Sequence, residues 1–317
     1  LRVLITGASG FVGKHLASYL HTTQPDVTLF GTTLDSEQPS NHDIVTYHQL
    51  DLRDETAVQT LLKTCQPDHI YHLAAQAFVP RSFEYPWETL DNNIRSQLNI
   101  IQSCLALGIK PRMLIISSAE IYGAVKSDEM PMDENTLLRP TNPYSVSKVT
   151  QDLLGLQYYL SHQLPIMRAR AFNHFGPGQN PRFVAPAFAT QIAKIEASDE
   201  EPFIYVGNLE AKRDFTDVRD IIRAYHLIVE QGTPGQAYNV ASGKAYSIQY
   251  LLDTLLSYTD MEIEVRVDPK RLRPVDVPEI RGDSTKLSSD TGWKPTITFE
   301  ETLKDVLEDC RQRIKNT

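Results

Sequence analysis

Three glycines at regular spacing, Gly7, Gly10 and Gly13 in TGASGFVG at 6–13, constrain this chain more than any other feature. The apolar run Leu1–Ile5 precedes them, and Val12, Leu16 and Leu20 follow at helical spacing. Strand, glycine turn and helix in that order open a β–α–β unit. Glycine lets the backbone come close to a pyrophosphate, and a helix N-terminus aims N–H groups and the positive end of its dipole at it. A dinucleotide is therefore expected on Gly7, Ser9, Gly10, Phe11, Val12 and Gly13, the alternative being a tight turn without a ligand.

The alternation continues. Val27–Phe30 reads as a second strand, ending in Gly31-Thr32-Thr33 where an NAD site usually carries a carboxylate for the ribose 2′-OH. Its absence favours NADP(H), with Thr32 near the ribose; NAD(H) stays open because no Arg stands there to clamp a 2′-phosphate. A third strand, Ile44–Leu50, leads into Asp51 and Leu52, and a fourth, His69–Leu73, into Ala74, Ala75 and Gln76. Small residues at a strand's carboxyl end let the chain pass close to a cofactor, so Leu73, Ala74 and Ala75 join Asp51 and Leu52 as cofactor candidates. Helices are expected after Asp54 and from Pro86 to Cys104, further strands at Met113–Ile116, Pro165–Ala171 and Gln236–Val240. Such alternation implies right-handed crossovers and an α/β, Rossmann-type doubly wound parallel sheet. From Asn173 the pattern loosens. A Gly/Pro/Asn-rich loop, a helix at Ala187–Ile195, a strand at Phe203–Val206, a polar loop GNLEAKRDF, a helix capped by Asp217 and a final helix from Thr298 suggest a smaller C-terminal α/β substrate domain. The expected division is 1–172 plus about 214–242 for the dinucleotide, and 173–213 plus about 243–317 for the substrate.

Between the fifth strand and Pro165 lies NPYSVSK at 142–148. Asn142 can cap a helix and Pro143 suits its first turn. Tyr144 and Lys148 then share one helix face. An ammonium beside a phenol favours the phenolate, so Tyr144 is expected to exchange a proton near neutral pH. Ser118, at the carboxyl end of the fifth strand, belongs to the same crevice.

Net charge is −9, which disfavours a nucleic-acid partner, and no apolar run approaches membrane-spanning length. The three cysteines are scattered, giving neither a metal cluster nor a disulfide framework and fitting a cytoplasmic setting. The lack of an initiator Met points to a trimmed start. In so acidic a chain an anionic ligand would need locally placed Arg and backbone N–H groups, since guanidinium binds phosphate bidentately.

TGASGFVG, HLAA at 72–75, SS at 117–118, YSVSK at 144–148 and GWKP at 292–295 together resemble the nucleotide-sugar branch of the extended short-chain dehydrogenase/reductases. AFNHFGPGQ at 171–179, VGNLEAKRDFTDVRD at 206–220 and RLRPVDVP at 271–278 are similar to the GDP-mannose pathway, to its 4,6-dehydratases and its 4-keto-6-deoxymannose reductases. FNHFGPGQ and the Phe215–Val218 run look like the reductases, whereas Gln76 and Glu120 look like the dehydratases. The resemblance implies NAD(P)H-dependent reduction of the C4 ketone of GDP-4-keto-6-deoxy-D-mannose to GDP-D-rhamnose. A dehydratase, an epimerase or a non-catalytic NADP-binding relative are the other readings. Tyr144 would be the general acid, Lys148 would hold the nicotinamide ribose, and Ser118 would orient the carbonyl. Glu120 would take the C5 proton in a dehydratase or hold a sugar hydroxyl in a reductase. Asn93 and His174 would serve the cofactor; Gln76, Asn173, Val184, Lys194, Asn208, Arg213, Arg273 and Asp276 would serve the GDP-sugar. The family's Asn-x-x-Gly-Thr reads here Asn93-Ile94-Arg95-Ser96-Gln97, a departure. Helix-to-helix homodimers are common in such proteins, and the helices at 90–101 and 144–160 would suit one.

Overall fold

From Arg2 to Ala171 strands and helices follow one another among the described residues, in an alternation broken only where two strands run in succession, Thr28–Thr33 and Thr46–Gln49, and two helices, Val79–Glu84 and Pro86–Leu107. The computed structural model describes residues 1–35, 41–197, 201–271 and 277–316. The first part runs β1 (Arg2–Thr6), α1 (Phe11–Thr23), β2 (Thr28–Thr33), β3 (Thr46–Gln49), α2 (Glu55–Cys65), β4 (His69–His72), α3 (Val79–Glu84), α4 (Pro86–Leu107), β5 (Arg112–Ser118), α5 (Pro143–His162) and β6 (Ile166–Ala171). The remainder runs β7 (Asn173–Phe175), α6 (Val184–Glu196), β8 (Phe203–Val206), β9 (Lys212–Asp217), α7 (Val218–Gln231), β10 (Ala237–Val240), β11 (Ala245–Ser247), α8 (Ile248–Leu256), β12 (Glu264–Val267), β13 (Glu279–Ile280), α9 (Thr285–Thr291) and α10 (Phe299–Lys315).

A seven-stranded sheet in the order β10-β6-β5-β4-β1-β2-β3 lies at the centre. Every pair in it is parallel. Both faces are covered, which is why β1, β5 and most of β6 read as apolar runs, whereas the edge strand β3 (TYHQ) is polar and partly exposed. Val3, Ile5, Tyr71, Leu114 and Met167 pack with Leu16, Ile221 and Tyr225 of α1 and α7. Leu4, Ile70, Met113, Ile115 and Ile166 pack on the opposite face with Leu62, Ile101 and Tyr158 of α2, α4 and α5. The chain winds outward in opposite directions from β1 and β4, so a crevice opens at their carboxyl ends, where α/β sheets bind ligands. Register places Thr6 of β1 beside His72 of β4 there.

Beyond β6 a second core gathers Phe188, Ile192, Phe215, Leu251, Phe299 and Leu303 from α6, β9, α8 and α10. Two segments expected to be loop are strand. Asn173–Phe175 pairs with β9, and the end of the polar loop GNLEAKRDF is β9 itself, flanked by β11 and β13. Its polar residues are tolerated inside because distant loops satisfy them. The fully buried Asp214 carboxylate accepts from Ser242 N and Oγ, Gly243 N and Gly282 N at 2.6–3.2 Å. Helix α6 begins at Val184, earlier than expected, and α8 was not foreseen.

The late GWKP motif has a structural reason. Trp293 Nε1 donates to Asp220 O at 2.9 Å, and the buried Asp220 carboxylate accepts from Thr296 N, Thr296 Oγ1, Ile297 N and Arg223 at 2.6–2.9 Å. Asp220→Ala strands these donors, and breaking a buried charged partner costs about 3–5 kcal/mol. Urea unfolding is expected to show a loss of that size with an unchanged slope; a loss below about 1 kcal/mol would contradict the tether.

Candidate active site

The glycine turn is shaped by close approach. Gly7 has φ +68°, and a Cβ there would lie 3.1 Å from Ala74 Cα. At Gly13 a Cβ would meet Gly7 O at 2.5 Å and Ala8 Cα at 2.7 Å. Gly10, the N-cap of α1, offers no side chain to the first N–H groups of the helix. Such donors with no local acceptor, beside backbone that admits no Cβ, fit a pyrophosphate. Thr32 does not line the site as expected. It is 2% exposed, and its hydroxyl accepts Gly7 N at 3.0 Å, so it props the turn. The hydroxyls nearer the surface are Ser9 Oγ and Thr33 Oγ1, bonded to each other at 3.0 Å. Asp51, expected to face the cofactor, is gripped by Arg53 through three side-chain bonds of 2.6–3.0 Å, which hold its carboxyl below the usual range; Leu52 beside it is buried.

The segment 73–76 crosses the crevice and is pinned at both ends. Thr6 Oγ1 accepts Ala74 N at 3.1 Å and contacts His72 Nδ1 at 2.9 Å. At the other end Asn93 Oδ1 accepts Gln76 N at 2.7 Å, while Asn93 Nδ2 donates to Gln76 O and to Ser147 Oγ. Ser147 Oγ in turn donates to Tyr144 O at 2.6 Å. Asn93 is wholly buried, which corrects its expected cofactor contact: it clamps the loop to α5 from behind. The Gln76 side chain bonds Phe78 and Thr89 and so shapes the loop. Sequence reasoning missed Thr6 and Ser147. Their only signal was a hydroxyl next to a motif residue.

Helix α5 starts where NPYSVSK demands. Asn142 Oδ1 accepts Ser145 N at 2.8 Å and Ser145 Oγ returns a capping contact to Asn142 N. Pro143 follows at the first helical position. Tyr144 and Lys148 point inward and are both buried, with the ammonium 5.9 Å from the Tyr144 ring centre and donating to Ile116 O at 2.9 Å. Burial overturns the expected near-neutral phenol. It pushes the Tyr144 hydroxyl well above its usual range, against a smaller opposite pull from Ser118, and lowers Lys148 to about 7. Tyr144 therefore rests as the protonated acid. Ser118 Oγ accepts Glu120 N at 3.2 Å, and the Glu120 carboxylate accepts Asn142 Nδ2 at 3.2 Å, so Ser118, Glu120 and the start of α5 meet at one strand end.

Across the crevice Asn173 is exposed, and the half-buried imidazole of His174 contacts Phe172 O through Nδ1 at 3.0 Å. Burial lowers the His174 pKa. Val184 opens α6, and Lys194 lies half-buried near its end. Asn208 is exposed, its side-chain oxygen accepting Glu210 N. Arg213 is buried on β9 and donates to Lys212 O and Val277 O at 2.8 Å. Arg273 and Asp276 lie outside the described residues. Sequence reasoning also missed an aromatic strap. Arg182 lies over Phe78 at 5.1 Å and over Phe183 at 5.4 Å, joining the loop after β4 to the start of α6.

Comparison with known proteins agrees with this arrangement. Residues 4–306 match the family described as GDP-mannose 4,6 dehydratase. The chain is 35% identical to the GDP-6-deoxy-D-mannose reductase of Pseudomonas aeruginosa, over 99% of this chain and 98% of that one. It is 28% identical to the GDP-mannose 4,6-dehydratase of Yersinia enterocolitica, over 99% and 95%. Among solved structures it is similar to RMD from Pseudomonas aeruginosa complexed with NADPH, at a TM-score of 0.86 and 34% identity, covering 99% of this chain and 100% of that one.

Proposed function

This chain belongs to the GDP-mannose 4,6-dehydratase family, and from that premise we propose that it reduces the C4 ketone of GDP-4-keto-6-deoxy-D-mannose to GDP-D-rhamnose. The observation that carries the choice is the higher full-length identity to the reductase, 35%, than to the dehydratase, 28%. The bound NAD(P)H supplies the hydride. Every other step falls to the chain. Ser118 orients the ketone oxygen by donating to it. Tyr144, kept protonated by burial, gives its proton to the oxygen as negative charge develops there. Lys148 and Ser118 then stabilise the tyrosinate, and the remaining Lys148 N–H groups hold the nicotinamide ribose.

Binding follows from the same placement. Gly7, Ser9, Gly10, Phe11, Val12 and Gly13 would hold the pyrophosphate, with Leu73, Ala74 and Ala75 along the cofactor and His174 beside the nicotinamide. The absence of a carboxylate at the end of β2 supports NADPH over NADH, since Ser9 and Thr33 offer hydroxyls to a 2′-phosphate without repelling it. Arg213 would take the substrate diphosphate, with Asn173, Val184, Lys194 and Asn208 around the sugar nucleotide; Arg273 and Asp276 are assigned there on resemblance. Glu120, steered by Asn142, would hold a sugar hydroxyl. A second reading has Glu120 remove the C5 proton in a GDP-mannose 4,6-dehydratase, and its position beside Ser118 favours it. The two separate on substrates. GDP-4-keto-6-deoxymannose should oxidise NADPH, and GDP-mannose alone should give no 4-keto product; the reverse pattern would make the enzyme a dehydratase.

No described helix is long and apolar enough to cross a membrane, and all three thiols are free and buried, which supports a cytoplasmic enzyme. A homodimer through α5 is part of the same reading. Val146, Val149, Leu153, Leu156 and Leu160 recur at alternating steps of three and four, and Val146, Leu153 and Leu160 are 42%, 48% and 64% exposed. An apolar seam of period 3.5 suits a second copy of the same helix. Leu153→Glu with Leu160→Glu is expected to halve the mass measured by sedimentation equilibrium. A wild type that already sediments as a monomer would contradict the seam.

A further inference from the structure

Arg213 and Asp214 are neighbours on β9, so strand alternation sends their side chains to opposite faces of the small sheet β11-β9-β13. Both are buried. The Arg213 fork is oriented by carbonyls. Its Nη1 donates to Lys212 O of its own strand and to Val277 O, both at 2.8 Å. The guanidinium therefore points where the segment 277–282 lets it point. That segment lies along β9. Lys212 N donates to Pro278 O at 2.8 Å, Glu279 pairs with Lys212, and Ile280 pairs with Arg213. Strand β13 has only two residues, fewer than strands usually need. Its far end is fixed by Asp214, whose Oδ2 accepts Gly282 N at 3.2 Å. The same oxygen accepts Gly243 N at 2.9 Å, and Oδ1 accepts Ser242 N and Oγ at 2.8 and 2.6 Å. Ser242 and Gly243 lead into β11, the neighbour of β9 on the other side. Two glycines permit the approach. At Gly282 a Cβ would fall 2.5 Å from Phe172 Cζ and 2.6 Å from Ala241 Cβ, and Gly243 has φ +78°.

We propose that Asp214 is a positioning residue for the substrate: by clipping the strands on either side of β9 it holds Val277 in place, and through Val277 the guanidinium that receives the diphosphate. The proposal rests on the assignment of Arg213 to the diphosphate above. An ionised carboxylate offers about four acceptor positions, and the donors from Ser242, Gly243 and Gly282 use them. A proton on Asp214 has to displace a donor. Burial favours that proton and pushes the carboxyl up to about 6, against the hydrogen bonds from Ser242, Gly282 and Gly243. The titratable groups on the segments packed around it are engaged elsewhere. Tyr246 of β11 is a neutral phenol, its pKa raised first by burial. Arg281 stands 3.3 Å from Glu279, Asp283 accepts Thr285 N, Lys244 is exposed, and His174 of β7 contacts Phe172 O. A carboxyl whose pKa is higher in the folded chain than in the unfolded one takes up a proton on folding, so acid removes no stability through this group. Acid loosens only the clip. Substrate affinity is therefore full well above pH 6 and declines as pH falls through about 6.

The test is isothermal titration of GDP-mannose into the NADPH-bound protein, which holds no oxidised cofactor to turn the sugar over. Both phosphates of this probe are substituted on each side, so it lacks the terminal phosphate that itself titrates at about pH 6. Asp214→Asn keeps the size of the side chain and is expected to weaken binding about tenfold at neutral pH, the scale of one hydrogen bond to a charged group. Arg213→Ala should weaken it about a hundredfold. Asp214→Asn added to Arg213→Ala should cost nothing further, because the group it positions is gone. In the wild type the affinity should fall with a midpoint near pH 6, and this inflection should be missing from Arg213→Ala. Unchanged binding in Asp214→Asn, or an equal loss with and without Arg213, overturns the proposal, the second because Asp214 would then act on the fold at large. If Asp214→Asn does not fold, the two pH profiles decide: an inflection in both proteins, or in neither, overturns it. Arg213→Ala that binds as well as the wild type defeats the diphosphate assignment and the clip with it. A wild type that fails to reduce the keto-sugar defeats the reductase reading alone, because GDP-mannose binding still judges the clip.

Discussion

Tyr144→Phe is expected to lower kcat by about 10³-fold, within the range a lost general acid costs, while the NADPH Kd stays within about twofold. The two effects separate because the residue's two attributes separate. Its ring packs inside the crevice at 8% exposure, and phenylalanine keeps that packing. Only the hydroxyl is lost, and with it the proton that the alkoxide needs. Burial keeps that hydroxyl protonated at neutral pH, so it is the proton itself that the variant lacks. Steady-state kinetics with the keto-sugar and a fluorescence titration with NADPH check both halves. Equal losses in kcat and in cofactor affinity would mean that Tyr144 positions the nicotinamide and does not donate the proton.

Gly13→Ala is expected to weaken NADPH binding by about 10²-fold, equivalent to about 2.7 kcal/mol. The added methyl would fall 2.5 Å from Gly7 O and 2.7 Å from Ala8 Cα, both backbone atoms of the turn itself. Neither can yield by rotating a side chain, so the turn must shift, and the N–H groups aimed at the pyrophosphate shift with it. Gly108→Ala is the control. Gly108 also has a positive φ, +66°, at the end of α4, but open space surrounds its Cβ position. That variant should lose about 1 kcal/mol of stability and leave NADPH affinity unchanged. Isothermal titration of both proteins distinguishes the cases; equal losses of affinity would show that the turn is no more sensitive than a helix end.

Much of the fold was legible because the sheet is buried on both faces. The first strand, Val27–Phe30, His69–Leu73, Met113–Ile116 and Pro165–Ala171 stood out as apolar runs and are strands within two residues of the expected ends, except that the second runs on to Thr33. Helix starts were equally plain, since Asp54, Asn142, Asp217 and Thr298 each cap with their own side chain as their types suggest. The meeting of Ser118, Tyr144 and Lys148 followed from strand order alone. Direction was not legible. Thr32 and Asn93 sit at the right spacing for cofactor contact, yet point into the protein, where they hold Gly7 and Gln76. The acidity of Tyr144 was misjudged because a neighbouring charge shows in the spacing and burial does not. Strand β9 looked like loop because Arg213 and Asp214 are charged, and the loops that satisfy Asp214 lie far along the chain, at Ser242, Gly243 and Gly282.

The central claim is that hydride and proton are added across a C4 carbonyl, the proton coming from Tyr144. Incubation of GDP-4-keto-6-deoxy-D-mannose with NADPH deuterated at the transferring position, followed by NMR of the sugar product, tests it most directly. The account predicts one deuterium bound at C4 of a 6-deoxyhexose, formed in step with NADPH oxidation. A product without deuterium, or a 4-keto-6-deoxy sugar formed from GDP-mannose with no net oxidation of NADPH, would contradict it.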